Sequence, residues 1–328
     1  CEIVVIVCSN YYVLCFFFLF FFKQKTAYEM LRSLVGSEMC IRDRAAKLAQ
    51  HYRTVVISAD SRQFYRELRI GTAFPTPEEL DLAPHHFVGH LSVNDDYNVS
   101  KYENEVLKFL DQAFKKHHLI ILTGGSGLYV DVVCKGIDDL PEADPDIRRQ
   151  IDKWLNEKGI EFLQEKLKAV DPKYFATVDK NNPKKLARAI EVFLLTGIPY
   201  SLLRKNQPKK RPFHILKIGL NMQREELFER ISLRTDKMIE DGLVEEVRSL
   251  ADYRNLNALN TVGYKEIFEY LDGKLSFEQA VINIKTNTRR YAKRQLTWLK
   301  RDKEIKWFEP DQLMLIINYI DECNSSSK

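Results

Sequence analysis

From position 45 onward the chain alternates short runs of β-branched and apolar residues with longer segments of helical period. Thr54 to Ile57 (TVVI) reads as a buried strand closed by Ser58-Ala59-Asp60-Ser61, and Arg62 to Leu68 is compatible with a helix following at once. His118 to Leu122 (HLIIL) reads as a second strand. It runs into Thr123-Gly124-Gly125-Ser126-Gly127 and the helix-compatible LYVDVVCKG. A third strand, His214 to Leu220 (HILKIGL), precedes an amphipathic helix over Arg224 to Glu240, with Gly242 as its stop. This alternation predicts an α/β fold with a mostly parallel sheet flanked by helices.

Between the second and third strands the texture changes. Asp144-Pro145 and Asn182-Pro183 each set an N-cap before a proline at the first helical position, and Gly197 ends the second of these helices. No β-rich run interrupts 141–197, so an all-helical insertion is expected there, inside a core made of 45–140 and 198–328. Beyond it, Ser276 to Lys300 reads as a long basic helix and Ile305 to Phe308 as a short strand.

The first 44 residues break the pattern. Ile3 to Phe22 carries no charge and ends in FFFLFFF, ahead of Lys23-Gln24-Lys25. About 20 apolar residues could span a bilayer. Lys23 to Arg44 (KQKTAYEMLRSLVGSEMCIRDR) instead resembles a translated sequencing adapter, which makes 1–44 a foreign segment. A secretory signal fits poorly, because no small-residue cleavage site follows a compact apolar region. No membrane partner is expected unless this segment is genuine.

The chain of 328 residues is 45% hydrophobic and 29% charged, with a formal net charge of +4, enough for a sizeable core and permissive of nucleic-acid binding. Four of its six cysteines fall in the first 44 residues; Cys134 and Cys323 remain, which indicates a reducing compartment without a disulfide framework.

Four constellations could carry chemistry. At the carboxyl end of a buried strand, either Asp60 or Ser61 caps the helix beginning near Arg62, or Asp60 points a carboxylate into a ligand crevice as a base or second-shell metal ligand. Gly124-Gly125-Ser126-Gly127 is either an ordinary tight turn or a close backbone approach to an anion. It matches neither the G-x-x-x-x-G-K-[ST] loop nor the dinucleotide fingerprint. Arg224, Arg230 and Arg234 suit a diphosphate, while Glu226 and Arg230 have the i,i+4 order of a plain surface ion pair. Arg289, Arg290, Lys293, Arg294 and Lys300, interleaved with Tyr291 and Trp298, fit phosphate-backbone contact on a helix whose other side is core. His85, His86 and His90 lack partners at ligand spacing, which argues against zinc.

Taken together, ISADSRQFYRELRIGTAFP, HHFVGHL, LTGGSGLYVDVVCKGIDDLPEADPDIR, NNPKKLARAIEVFLLTG, QREELFERISLRTDKMIEDGLVEEV, TVGYKEIFEYLDG and TRRYAKRQLTWLK resemble, in order, the tRNA dimethylallyltransferase (tRNA isopentenyltransferase) family. The resemblance covers Ala45 to about Phe308. It implies a phosphate-loop-type α/β core, a helical insertion that helps grip the anticodon arm, and a cytoplasmic, bacterial-type enzyme acting as a monomer. That enzyme moves a dimethylallyl group from dimethylallyl diphosphate to N6 of adenine 37 in tRNA, assisted by Mg2+. By the same resemblance Asp60 is the general base, and Arg224 and Arg230 bind diphosphate. Ser61, Arg62, Gln63, Ser126, Arg148, Lys184, Lys185, Leu186, Ala187 and Arg188 match tRNA-binding positions, as do Asn260, Thr261, Val262, Gly263, Tyr264 and Lys265.

Two departures stand out. Phe74 replaces the family's usual lysine in GTAKP. The family's G-P-T-A-x-x-G-K-[ST] loop, which should precede Ala45, is absent, so no residue inherits its Mg2+ ligand and impaired activity is expected. Rival readings are a phosphate-loop kinase of a nucleotide or small metabolite, a catalytically dead tRNA-binding protein, and a membrane-tethered form of the enzyme.

Overall fold

The computed structural model describes residues 3–8, 11–15, 41–72, 74–220 and 222–325. The chain forms two compact units, one of 1–134 with 211–328 and one of 135–210. The helical unit therefore reaches past the expected 141–197 at both ends.

The first unit is built on a seven-stranded sheet. In chain order its strands are β1 (Ile3–Cys8), β2 (Tyr11–Cys15), β3 (Val56–Ser58), β4 (His85–His86), β5 (Leu119–Gly124), β6 (His214–Leu220) and β7 (Lys306–Phe308). Their order across the sheet is β4-β3-β5-β1-β2-β6-β7. β3 lies parallel to β5 in the register Val56↔Ile121, Ile57↔Leu122, Ser58↔Thr123, and β6 lies parallel to β7. All of β3 and β5 is buried, as strands covered on both faces must be.

The expected parallel sheet departs at one strand. β1 runs antiparallel to β2, β5 and β6. Two residues separate β1 from β2, and so short a connection joins only antiparallel neighbours. The bilayer-length stretch 3–22 thus holds two sheet strands, and its remainder lies outside the described residues. No helix among the described residues is long and apolar enough to cross a membrane.

The helices of this unit are α1 (Ile41–His51), α2 (Pro77–Leu82), α3 (Val99–Ala113), α4 (Gly127–Lys135), α9 (Arg224–Glu240), α10 (Leu243–Ser249), α11 (Tyr264–Leu271), α12 (Phe277–Leu299) and α13 (Leu313–Ser325). Ala45, Leu48 and Ala49 of α1, Ile218 and Leu220 of β6, Ile231 of α9, Leu296 of α12 and Ile316 and Ile320 of α13 share one buried cluster. The chain re-enters this unit at Arg211. Its guanidinium is buried against the Glu103 carboxylate and the carbonyls of Val132 and Val133.

The second unit is all helix, as the sequence predicts: α5 (Pro145–Val170, broken at Gly159), α6 (Pro172–Thr177), α7 (Pro183–Thr196) and α8 (Tyr200–Leu203). Asp144 and Asn182 cap α5 and α7 through side-chain oxygens ahead of proline. Its core is Ile151, Leu163, Leu167, Val178, Leu186, Ala189 and Ile190. Buried Asp171 accepts from Tyr174 N, Ser201 N and Ser201 Oγ at 2.9, 2.7 and 2.7 Å, tying α6 to α8.

Candidate active site

Asp60 sits two residues beyond β3, half-buried, in the crevice where α/β sheets place ligands. The expected helix over Arg62 to Leu68 does not form. Asp60 Oδ1 accepts from Arg62 N at 2.9 Å, and successive turns carry the chain to Leu68. A bridge between Tyr65 and Leu91 then fixes it: Leu91 N donates to Phe64 O and Arg66 N to Leu91 O, both at 2.9 Å. Tertiary pairing with 89–91 overrides a segment whose local pattern suits a helix. With no helix there, Asp60 caps none: one carboxylate oxygen closes a turn onto Arg62 N, at the crevice position.

The neighbouring strand supplies the opposite wall. Ala59 N donates to Thr123 O, and a Cβ on Gly124 would lie 2.3 Å from the Ala59 carbonyl carbon, so only glycine admits this approach. Ser126 Oγ accepts from Ser61 N at 3.1 Å and donates to Ser61 Oγ at 3.0 Å. The Ser58 hydroxyl donates to Gln63 Oε1 at 2.9 Å, burying Gln63 under the turn. Below, Phe64 stacks on Tyr102 and meets Tyr97 and Tyr129 edge-on, and Tyr102 donates to Ser58 O at 2.8 Å.

α12 closes the site. The Tyr291 ring is partly exposed, yet its hydroxyl reaches inward to Gly125 O at 3.3 Å. Burial and then the Asp60 charge push its phenol up to about 12. Gln295 Nε2 donates to the same carbonyl, and its buried Oε1 has no hydrogen-bond partner among the described residues. Farther along, Arg290, Lys293, Arg294, Thr297, Trp298 and Arg301 line an open cleft of about 450 Å3. Ala292, Leu296 and Leu299 are core, while Arg290, Lys293, Arg294, Lys300 and the 44%-exposed Trp298 face out.

Asn260 to Lys265 lies in the same unit, ahead of and within the first turn of α11, with Gly263 and Tyr264 buried and Asn260 and Lys265 exposed. It adjoins the Asp60 turn through Arg62, whose Nη1 donates to Asn257 O at 2.7 Å and Ala258 O at 3.2 Å, and whose Nη2 donates to Asn260 O at 3.4 Å. Glu246 of α10, which no sequence pattern singles out, accepts from the backbone of Arg69, Ile70 and Gly71 at 3.0, 2.9 and 3.1 Å and from Tyr264 Oη at 2.6 Å.

Arg224 opens α9 beyond the end of β6, and Arg230 lies in its second turn. Arg224 is exposed, with its guanidinium 5.1 Å from the Phe228 ring centroid, and Arg289 of α12 lies 5.0 Å from the same ring. Arg230 holds the i,i+4 ion pair with Glu226 at 2.8 Å. Arg289 donates to Ser232 Oγ at 2.9 Å, while its buried Nε makes no hydrogen bond among the described residues.

In the helical unit Glu191, buried, accepts from Arg148 Nε at 2.9 Å and Arg188 Nη1 at 2.7 Å. Lys184 and Lys185 are exposed, Ala187 is half-buried, and Leu186 is wholly in the core, so its side chain serves packing.

Mg2+ asks for a near-octahedral oxygen shell, largely water and diphosphate, completed by one or two protein oxygens. Among the described residues no group of three or more His, Cys, Asp or Glu is assembled, and one Asp60 oxygen already accepts the Arg62 N–H. This donor set does not by itself hold the ion.

The IPP transferase family profile matches residues 63–302. The chain is 49% identical over 274 residues to "tRNA dimethylallyltransferase 1" of Bacteroides fragilis, covering 84% of this chain and 91% of that protein. It is similar in structure to the full-length tRNA isopentenylpyrophosphate transferase of Bacillus halodurans, with TM-score 0.62 and 34% identity over 87% of this chain and 93% of that one. A eukaryotic dimethylallyltransferase acting on tRNA shares the fold, with TM-score 0.69 at 23% identity over 83% of this chain and 71% of that one. The profile match and the identity across nearly the full length of these relatives place the chain in the IPP transferase family, the tRNA dimethylallyltransferases.

Proposed function

We propose that this chain transfers a dimethylallyl group from dimethylallyl diphosphate to N6 of adenine 37 in the anticodon arm of tRNA. The observation that carries the reading is a carboxylate, Asp60, set at a strand end beside a glycine turn and beneath a basic, aromatic helix, in a chain of this family. The C–O bond to diphosphate breaks and a C–N bond to N6 forms. An exocyclic aromatic amine is a weak nucleophile, and its proton passes to Asp60.

Adenine reaches such a carboxylate only out of its stack. The Tyr291 and Trp298 rings offer stacking faces, and Lys293, Arg294 and Arg301 neutralise backbone phosphates. Arg224, with Arg230 and Arg289 on the same helix pair, stabilises the departing diphosphate charge. Exposed Lys184 and Lys185 and the Arg148–Glu191–Arg188 cluster present further cations to RNA. In this reading Mg2+ would arrive with the diphosphate and would help neutralise its charge.

The test is single-turnover transfer with excess chain over an adenine-37 anticodon-arm RNA, read by the mass of the RNA. Single turnover registers even slow transfer, which is what the missing phosphate-loop motif leads us to expect. Asp60→Asn lowers the rate at least about 100-fold with RNA affinity unchanged. Phosphoryl transfer from a nucleotide in place of prenyl transfer would favour the kinase reading instead.

A further inference from the structure

Arg62 lies two residues after Asp60, in the segment expected to touch RNA, yet its guanidinium is already engaged. Nη1 meets two backbone carbonyls, Asn257 O and Ala258 O, and Nη2 meets Asn260 O. A guanidinium presents its N–H groups as a rigid fork, which suits it to bridging several oxygens at once. The carbonyls it meets lie along and just after a single 3-10 turn, Asn257–Leu259, where Asn257 O also accepts from Asn260 N at 3.2 Å. Immediately after that turn comes Asn260 to Lys265. The far side of the same segment is tied down by the Tyr264 hydroxyl on Glu246, which also holds the backbone of Arg69 to Gly71. The segment 260–265 is thus fastened to the Asp60 loop at both ends, and Arg62 supplies the fastening nearest the carboxylate.

We propose that Arg62 is a positioning residue, which holds Asn260 to Lys265 in the geometry that receives RNA beside Asp60 and makes no phosphate contact of its own. This rests on the reading that the chain binds the anticodon arm. It departs from the simple expectation that an arginine in this motif is there for the charge of RNA. The physical distinction is measurable. A side chain that neutralises a phosphate contributes about 0.7–0.9 to the slope of log affinity against log salt, whereas one that orders a segment lowers affinity equally at every salt concentration.

The experiment uses the full chain, Arg62→Ala and Arg62→Lys, with a synthetic anticodon-arm RNA titrated across salt and amide hydrogen exchange followed on the free proteins. Arg62→Ala is expected to weaken binding about tenfold with the salt slope unchanged. Exchange should rise at 257–265 and stay as in the wild type elsewhere. Arg62→Lys keeps the charge but lacks the fork, so it should show the same local rise in exchange and an intermediate affinity. A slope reduced by one phosphate in Arg62→Ala, with Arg62→Lys equal to wild type and exchange unmoved, overturns the proposal. So does an Arg62→Ala protein equal to wild type in every readout. Should Arg62→Ala fail to fold, Arg62→Lys decides alone, because a phosphate contact tolerates lysine and a three-carbonyl bridge does not. Failure of the wild-type chain to bind the RNA overturns the underlying reading instead, and exchange at 257–265 still reports whether Arg62 holds the segment.

Discussion

Gly71 and Tyr264 occupy each other's space so closely that position 71 admits no side chain: a Cβ there would lie 2.3 Å from Tyr264 Cε2. The Tyr264 ring is wholly buried, and its hydroxyl is held by the same Glu246 carboxylate that accepts the Gly71 N–H. Burial first, and the Glu246 charge next, keep this phenol protonated far above its ordinary range, so it remains a donor at every working pH. Gly71→Ala should therefore expel the ring and cost about 1–3 kcal/mol, the usual range for forcing a methyl into a packed site. Urea unfolding measures this, and an unchanged midpoint would contradict the geometry.

Tyrosine ionisation offers a pH readout of the Asp60 region. Tyr291 and Tyr129 are each raised from 10 to about 12, chiefly by burial. A raised folded value means that the native state keeps its protons where the unfolded chain loses them. The stability these groups contribute is fully present below about pH 10 and is lost as pH rises through about 12. For Tyr291 the second cause is the Asp60 charge, so Asp60→Asn should lower its transition while leaving Tyr129 in place. NMR of ring-labelled tyrosine follows both, and a Tyr291 transition indifferent to Asp60→Asn would separate the two residues.

In the helical unit Glu191 is buried with two guanidiniums on its two oxygens. Both arginines retain access to water, so the loss on Glu191→Ala is set more by their hydrogen bonds than by a stranded charge. About 1–3 kcal/mol is expected, with Glu191→Gln losing less because it keeps one acceptor. Equal denaturant midpoints for Glu191→Ala and the wild type would remove Glu191 from the framework of this unit.

The α12 cations should behave unlike Arg62. Lys293 and Arg294 are exposed and line an open cleft. Each replacement by alanine should lower the slope of log affinity against log salt by about 0.7–0.9 for anticodon-arm RNA. Slopes equal to the wild type in both variants would place the RNA backbone elsewhere.

Much of the architecture is legible in the residues themselves. β6 and α9 coincide with the apolar run and the amphipathic period that announce them, and Asp144-Pro145 and Asn182-Pro183 start helices where caps and prolines require. These features are local: period, capping and chain stiffness act within a few residues, so sequence alone determines them. The order of motifs likewise identifies the family and singles out Asp60.

Other features have no local cause and were decided only by the tertiary structure. The segment after Asp60 carries a helical pattern but becomes turns, because Phe64 and Arg66 hydrogen-bond to Leu91 across the fold. Glu246 looks like any helix-surface carboxylate until folding delivers three backbone N–H groups and a buried phenol to it. Arg62 looks like a cation awaiting RNA until the turn at 257–260 arrives with three carbonyls. Asp60 itself was placed by the sequence, since a strand end is a local event. Its neighbours Ser126, Tyr291 and Gln295 come from 65 or more residues away, and only packing could bring them to it.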